Sequence, residues 1–409
     1  MSSKPFNRTR LAGALLLAML LPLAAQSQDA EAPAADEMPE EVMPGSAEPV
    51  EATASDGAQG SAASVDPAAL DAEMMPRASQ SLLLDVVQTA AGYFVVGERG
   101  HVLISEDGRE WKQAPVPTRS TLTSITSADG VLWAGGHDGV IVHSTDGGQT
   151  WTRRRMQVWT PDYADPLDGV PVMDILMVDG MNGFAVGAYA MFLETADGGV
   201  TWTPRGIINY DEPEPAPAEP VAQEPVADEP AAEAPAADDW TFDASDLELE
   251  AEADPHLYAM ARTDEGHLVI AGERGAFFRS TDGGQSWERD RLPYEGSMFG
   301  VLSFGGGHLL VHGLRGNVLE SRDLGRTWTN VDTGVNTSLM GGHALANGGA
   351  ILVGANGVVL TRPDADSPFT ETRFEMANGE TPNLTGVLPA GDAGFIVVGD
   401  KGAGLFRPQ

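Results

Sequence analysis

The chain has 409 residues, with 48 Gly, 28 Pro and no Cys, and a formal net charge of −36. Without cysteine it has no disulfide framework and no thiolate metal site, and so acidic a chain is a poor partner for nucleic acid. The charge is unevenly spread: residues 28–76 and 207–255 hold 28 of the 60 acids, and the rest of the chain from Arg77 on has 32 acids against 21 Lys and Arg.

The chain opens with a basic stretch (Lys4, Arg8, Arg10), an apolar run from Leu11 to Leu23, and small residues around Ala25-Gln26-Ser27. That pattern predicts a cleavable secretory signal peptide over 1–27 and an exported, periplasmic mature protein. The run is too short and Pro-interrupted to insert as a membrane span, and without Cys there is no lipid-attachment site. Residues 28–73 are a run of Ala, Pro and acids that buries too little apolar surface to offset ordering its backbone, so they are expected to be a disordered linker.

From residue 74 to 409 the chain repeats. Ser280-Thr281-Asp282-Gly283-Gly284-Gln285-Ser286-Trp287 recurs with its Asp and Trp at Asp146/Trp151, Asp197/Trp202 and Asp323/Trp328, and one residue shorter at Asp107/Trp111. Trp111 to Trp151 is 40 residues, Trp287 to Trp328 is 41, and another 41 reaches Phe369 in a worn sixth copy. In each box the Asp is expected to accept backbone N–H groups, Gly to take the positive-φ position, and the Trp to start a strand and enter a core. These acids are read as structural, not as calcium or catalytic groups. A second turn of the form Gly-x-x-Gly precedes each box: Gly97–Gly100, Gly136–Gly139, Gly272–Gly275, Gly313–Gly316, Gly354–Gly357 and Gly399–Gly402, with Ala190 replacing the last Gly in Gly187–Ala190. Seven such turns predict seven four-stranded units, an all-β seven-bladed propeller. Inner strands should begin at Leu82, Leu122, Val172, Leu257, Met298, Leu339 and Leu384. The last unit lacks a fourth strand, and Met74–Ser79 is expected to supply it. Residues 207–255 should be a second disordered acidic segment, inserted between blades 3 and 4.

The boxes resemble those of the BNR-repeat proteins, which include sialidases. The fuller pattern at Val95–Trp111 and Val269–Trp287 is similar to the photosystem II assembly and stability factor family of seven-bladed propellers. The resemblance covers roughly 77–409 and implies a non-catalytic exported propeller that binds protein and helps a membrane protein complex, or its assembly intermediates, to form. The alternative is a sialidase-like glycoside hydrolase or a glycan-binding propeller. Against an enzyme, the Arg-Ile-Pro motif of sialidases is absent and none of the six Tyr stands where a nucleophile would. His308 and His312 are four apart with no third ligand nearby, so neither a metal nor a cofactor is expected.

Blade topology puts the Gly-x-x-Gly turns on the face opposite the boxes, together with both long insertions. That face should present Arg99, His137, Arg274, Arg315 and Lys401 as a broken basic ring, flanked by Trp159 and Tyr163 of the first insertion and Trp240 of the second. These residues are the candidate partner surface, on a protein expected to be monomeric and not inserted in the membrane. A flexible acidic segment of this length spans roughly 40 Å, enough to compete with a client for that ring.

Overall fold

A computed structural model describes residues 66–160, 167–210, 215 and 254–408. Seven antiparallel meanders follow one another along the chain, six of four strands and the last of three. Their inner strands are Leu83–Thr89, Leu122–Ala128, Val172–Met177, Leu257–Arg262, Met298–Gly305, Leu339–Ala344 and Leu384–Pro389. Six begin at the residue expected and the first begins one later. The starting residue is a buried apolar side chain in every case. Each inner strand then bulges at its second residue. The bulge leaves that residue unpaired with its own sheet and free to reach the next blade. Thr123 donates its hydroxyl to Val172 O (2.6 Å), and Thr385 donates to Leu83 O (2.8 Å), joining blade 7 to blade 1.

The boxes fold as their chemistry requires. The Ser144 hydroxyl donates to Asp146 Oδ1 (2.8 Å) and accepts the Gly148 N–H (2.9 Å), while Asp146 takes the N–H (2.9 Å) and hydroxyl (2.5 Å) of Thr150. Asp197, Asp282 and Asp323 repeat the arrangement. In the short copy, Asp107 accepts from the N–H groups of Arg109 and Glu110. The hydroxyl and amide bonds of Thr150 and Ser286 hold Asp146 and Asp282 down at about 2. Each box also locks onto the blade before it. Trp151 packs with Phe94 and Val96, Trp328 with Phe277, and Trp111 with Ile396 and Val398. A Cβ added at Gly148 would sit 2.3 Å from the Phe94 ring, so the second Gly answers a close approach as well as its positive φ.

The box tryptophans do not all reach the core as expected. Trp151 and Trp328 are buried, and each closes its own turn by donating its indole N–H to Gly148 O and Gly325 O (both 3.1 Å). Trp111, Trp202 and Trp287 are only half-buried, at the margins of their clusters. Trp202 and Trp287 both leave the indole nitrogen without a hydrogen-bond partner among the described residues. The ring that faces the turn differs from box to box. Against the second Gly of the box, blades 1, 3 and 4 set Phe94, Phe184 and Phe277, whereas blade 2 sets the larger, fully buried Trp133. Trp133 itself bonds to this turn, donating to Gly198 O (3.0 Å), and Trp202 packs at the edge of the same cluster.

Ring closure differs from the expectation. Met74–Ser79 adds no strand, and Ala78–Gln80 is a 3-10 turn. Pro76, with no N–H to give to a ladder, stands in the middle of the segment. Residues 66–80 form a strap instead. Ala68 O accepts from Arg153 Nη1 (2.7 Å) of blade 2, and Ala72 N–H donates to Val116 O (2.8 Å). Gln113 of blade 1 holds Met75 N–H and Glu73 O (both 2.8 Å). Met75 and Ala78 then enter the core beside Ile396, Val398, Ala403 and Leu405 of blade 7. The strap thus crosses blade 1 from blade 2 to blade 7.

The strap also moves the linker boundary. Asp66 caps the short turn Pro67–Ala69, and Ala68 and Ala72 are buried, so 66–73 belongs to the propeller and not to the linker. The signal peptide and the rest of the linker lie outside the described residues, as does most of the acidic insertion. Its two ends are seen. Ile207 is buried, Tyr210 donates its hydroxyl to Asp254 (2.9 Å), and Pro255 O accepts the Ala190 N–H (2.8 Å).

Candidate functional site on the Gly-turn face

Five of the Gly-x-x-Gly turns have one backbone. The third residue takes a left-handed conformation, at Arg99, Asp138, Arg274, Arg315 and Asn356, with φ between 54 and 57°. The Gly after it is left-handed too and presses on the connection leaving its own blade. A Cβ at Gly100 would lie 2.0 Å from Thr118 O, at Gly316 2.1 Å from Val335 O, and at Gly357 2.4 Å from Phe374 O. Those carbonyls belong to outer-to-inner connections, so turns and connections share a face, as the topology demands.

Around this face the third turn position reads Arg99, Asp138, Tyr189, Arg274, Arg315, Asn356 and Lys401. Four of the seven are cations. Arg99 is half exposed and 3.7 Å from Glu73 of the strap, and Arg274 is 3.7 Å from Glu273. Arg315 and Lys401 are exposed and take part in no ion pair among the described residues. His137 occupies the second position of its turn, not the third. It is half-buried, and burial lowers its pKa against the pull of Asp138. Asp138 holds the place the other turns give to Arg, and accepts the Ser120 hydroxyl (2.6 Å). Beneath the tips, Arg155 and Arg373 donate to the turn carbonyls of Gly139 (2.6 Å) and Asn356 (3.0 Å). The basic ring is therefore a set of separate cations interleaved with acids.

Trp159 is 44% exposed, beside Met156 at 40%, on the blade 2 to blade 3 connection. Tyr163 and Trp240 fall outside the described residues, and with them the competitor role expected of the insertion.

Two arrangements escaped sequence reasoning. The first is a row of rings on blades 3 to 5. Tyr189 meets His256 edge-on at 4.8 Å, His256 lies 6.2 Å from Tyr258, and Tyr258 lies 5.4 Å from Phe299. Burial, then Glu273, pushes the Tyr258 phenol up to about 12, which keeps it neutral. Burial lowers His256, with Glu273 opposing. The only signal in the sequence was the irregular turn at Tyr189-Ala190, where both residues have positive φ. The second is a pair of half-buried carboxylates in the inner strands. Asp85 accepts the N–H groups of Val86 and, across to blade 2, Ile125 (both 2.8 Å). Asp174 accepts from Ile175 (2.8 Å), from the Ser124 hydroxyl (2.9 Å) and from Met260 of blade 4 (2.7 Å). Burial raises Asp85 to about 7 and Asp174 to about 6. Both are stitches between blades. His308 and His312 do not form a metal site: His308 contacts Glu320, and the buried His312 ring meets Leu339 O (3.0 Å). Among the described residues no three His, Asp or Glu are placed to hold a metal ion, and no helix is long and apolar enough to cross a membrane.

Six four-stranded meanders and one of three around a bulged inner ring, locked by Asp boxes, define a seven-bladed β-propeller of the Asp-box type. The chain belongs to the family described as photosynthesis system II assembly factor YCF48, whose sequence profile matches residues 69–170 and 234–367. Over 128 residues it is 39% identical to the photosystem II assembly lipoprotein Ycf48 of Prochlorococcus marinus, a match covering 28% of this chain and 35% of that protein. The match thus spans about a third of the relative's length. Two solved structures share the fold at 14% identity. YCF48 bound to D1 peptide has a TM-score of 0.55, covering 82% of this chain and 96% of that one. YCF48 from Cyanidioschyzon merolae has 0.54, covering 82% and 97%. Streptogramin B lyase superposes equally well, at 0.57 and 14% identity over 80% of this chain and 95% of that one, so the fold alone does not set the function.

Proposed function

We propose that this protein is a non-catalytic, exported assembly factor that docks a polypeptide segment of a membrane protein complex on its Gly-turn face. Membership of the assembly-factor family carries the reading. The solved relative that holds a D1 peptide supports a peptide segment of a membrane protein as the client. The exposed cations Arg315 and Lys401, with the half-buried Arg274, suit an anionic group on that segment, and the exposed Trp159 of the blade 2 to blade 3 connection offers an apolar contact. The perturbed carboxylates hold backbone amides and Tyr258 is held neutral, so neither serves as an acid, base or nucleophile in this reading.

The test is recovery of the client from the protein's own envelope by co-purification with the full chain. The wild type should retain a membrane protein that Arg274→Glu/Arg315→Glu/Lys401→Glu loses at unchanged melting temperature. Equal retention by both proteins would contradict the assignment of this face.

A further inference from the structure

Immediately after the first Gly turn, His101 is 0% exposed, and neither of its ring nitrogens has a hydrogen-bond partner among the described residues. That is an unusual way to bury an imidazole, because each polar ring atom gives up water and gains nothing. Blades 2 and 6 put Val140 and Val358 at the same place, also buried, each packed towards the preceding blade. For blade 1 the preceding blade is blade 7, and between the two runs the strap. Strand alternation gives the same answer. Val102 lies in the core shared with blade 2, whereas Leu103 lies in the core with Ala78 of the strap and Ile396 and Val398 of blade 7. His101, two residues before Leu103, takes the Leu103 side.

We propose that residues 66–80 form an acid-releasable latch across the seam of the ring, with His101 beneath it as the proton sensor. Neutral, the ring is tolerated as a packing element. A second proton makes it a cation with two N–H donors and no acceptor, and the cheapest relief is to admit water. The strap is the element able to move. It belongs to no sheet and is held by isolated bonds such as Ala72 N–H to Val116 O and by three small buried side chains, Ala68, Ala72 and Ala78, whereas His101's own strand is paired on both sides.

The charges around the ring are those of its own turn, Glu98 and Arg99, and Glu73 of the strap. Burial outweighs them and lowers the pKa of His101. The remaining charges on the packed elements are engaged elsewhere or point to the tips. Within the strap, Asp66 accepts the Ala68 N–H (2.8 Å) and Asp71 and Arg77 are exposed; Arg119 of the connection is held on Asp71 O (3.2 Å), Asp400 of blade 7 takes the Asn383 amide (2.9 Å), Arg407 is held on Ala393 O (3.1 Å), and Lys401 is exposed. With a lowered pKa in the closed state, stability of closure is full above the ordinary histidine value of about 6.5 and is lost as pH falls below it. Between pH 7.5 and 5.5 the opening constant should rise, by at most about tenfold.

Hydrogen exchange of the full chain at pH 7.5 and 5.5, corrected for intrinsic rates and read on peptides covering 66–80, tests this. Wild-type protection should fall, by at most about tenfold, and His101→Val, the residue blades 2 and 6 already use, should show no such fall. The same pH dependence in both proteins would overturn the proposal. So would rising protection of the wild type in acid, which would mean that His101 pairs with Glu73 and tightens the strap. Should His101→Val disturb the fold, an NMR titration of the wild-type ring decides: a value below about 6.5 supports the latch and one at or above it contradicts it. Opening would also release Arg99 from Glu73. That consequence rests on the docking role proposed above, whereas the exchange experiment contains no client, so the two ideas fail separately.

Discussion

The two faces of the ring are built from turns of the same chain and treat variation in opposite ways. On the box face, four turns repeat one bond pattern almost atom for atom, and their acids spend both oxygens on their own backbone and hydroxyls. On the Gly-turn face, the backbone is kept but the residue at its tip changes from Arg to Asp, Tyr, Asn and Lys. The described ends of both long insertions belong to connections on this face, and the strap's Glu73 meets Arg99 there. Where side chains are consumed by local bonds, nothing is left for a partner; where only the backbone is specified, the tip is available for recognition.

That contrast can be broken or sharpened. The largest effect should come from Trp328→Ala, which removes a ring packed edge-on against Phe277 at 5.2 Å and only 5% exposed. A loss of about 3–5 kcal/mol is expected in denaturant unfolding, with client affinity unchanged under conditions where the variant is folded. A smaller effect is expected from the inner ring, which serves both faces. The pKa of Asp85, raised to about 7, makes the folded state bind a proton that the unfolded chain, near 3.8, does not. Its contribution to stability is therefore full below pH 3.8 and is lost as pH rises through 7, at up to about 1.4 kcal/mol per pH unit. Asp85→Asn should flatten that part of the stability–pH profile relative to the wild type; parallel profiles would mean that the carboxyl is solvated and not a stitch. The smallest effect is Asp282→Ala, at a fully exposed turn, which should lower the melting temperature slightly and leave client capture intact.

Most of the fold was legible because the repeat is its own evidence. A box and a Gly turn at a fixed interval specify two of the three hairpins in each blade, and the inner strands then follow from where the apolar runs must start. The repeat does not say how deep each copy sits: Trp202 and Trp287 have the same box as Trp328, yet both stay half-buried with indole nitrogens unpartnered among the described residues. The strap was not legible. Met74–Ser79 stands where a closing strand should, and the effect of Pro76 shows only once the edge of blade 7 is seen to be covered by side chains. Asp85 and Asp174 were hidden for a different reason. In so acidic a chain one carboxylate looks like another, and only the bulge turns these two inward onto a neighbour's amides. The ring row Tyr189–His256–Tyr258–Phe299 draws on three blades, and no local pattern joins residues so far apart in sequence. His101 directly follows the charged turn Glu98-Arg99-Gly100, and only the buried valines at 140 and 358 mark its position as core.

The central claim is that the Gly-turn face, and not the box face, receives the client. It is tested most directly by measuring the affinity of the purified client for two variants side by side, Arg274→Glu/Arg315→Glu on one face and Arg109→Glu/Arg326→Glu at box turns on the other. The account predicts at least a tenfold loss for the first pair, about 1.4 kcal/mol, and wild-type affinity for the second, with both proteins melting near the wild-type temperature. Equal losses, or a loss confined to the box-face pair, would contradict it.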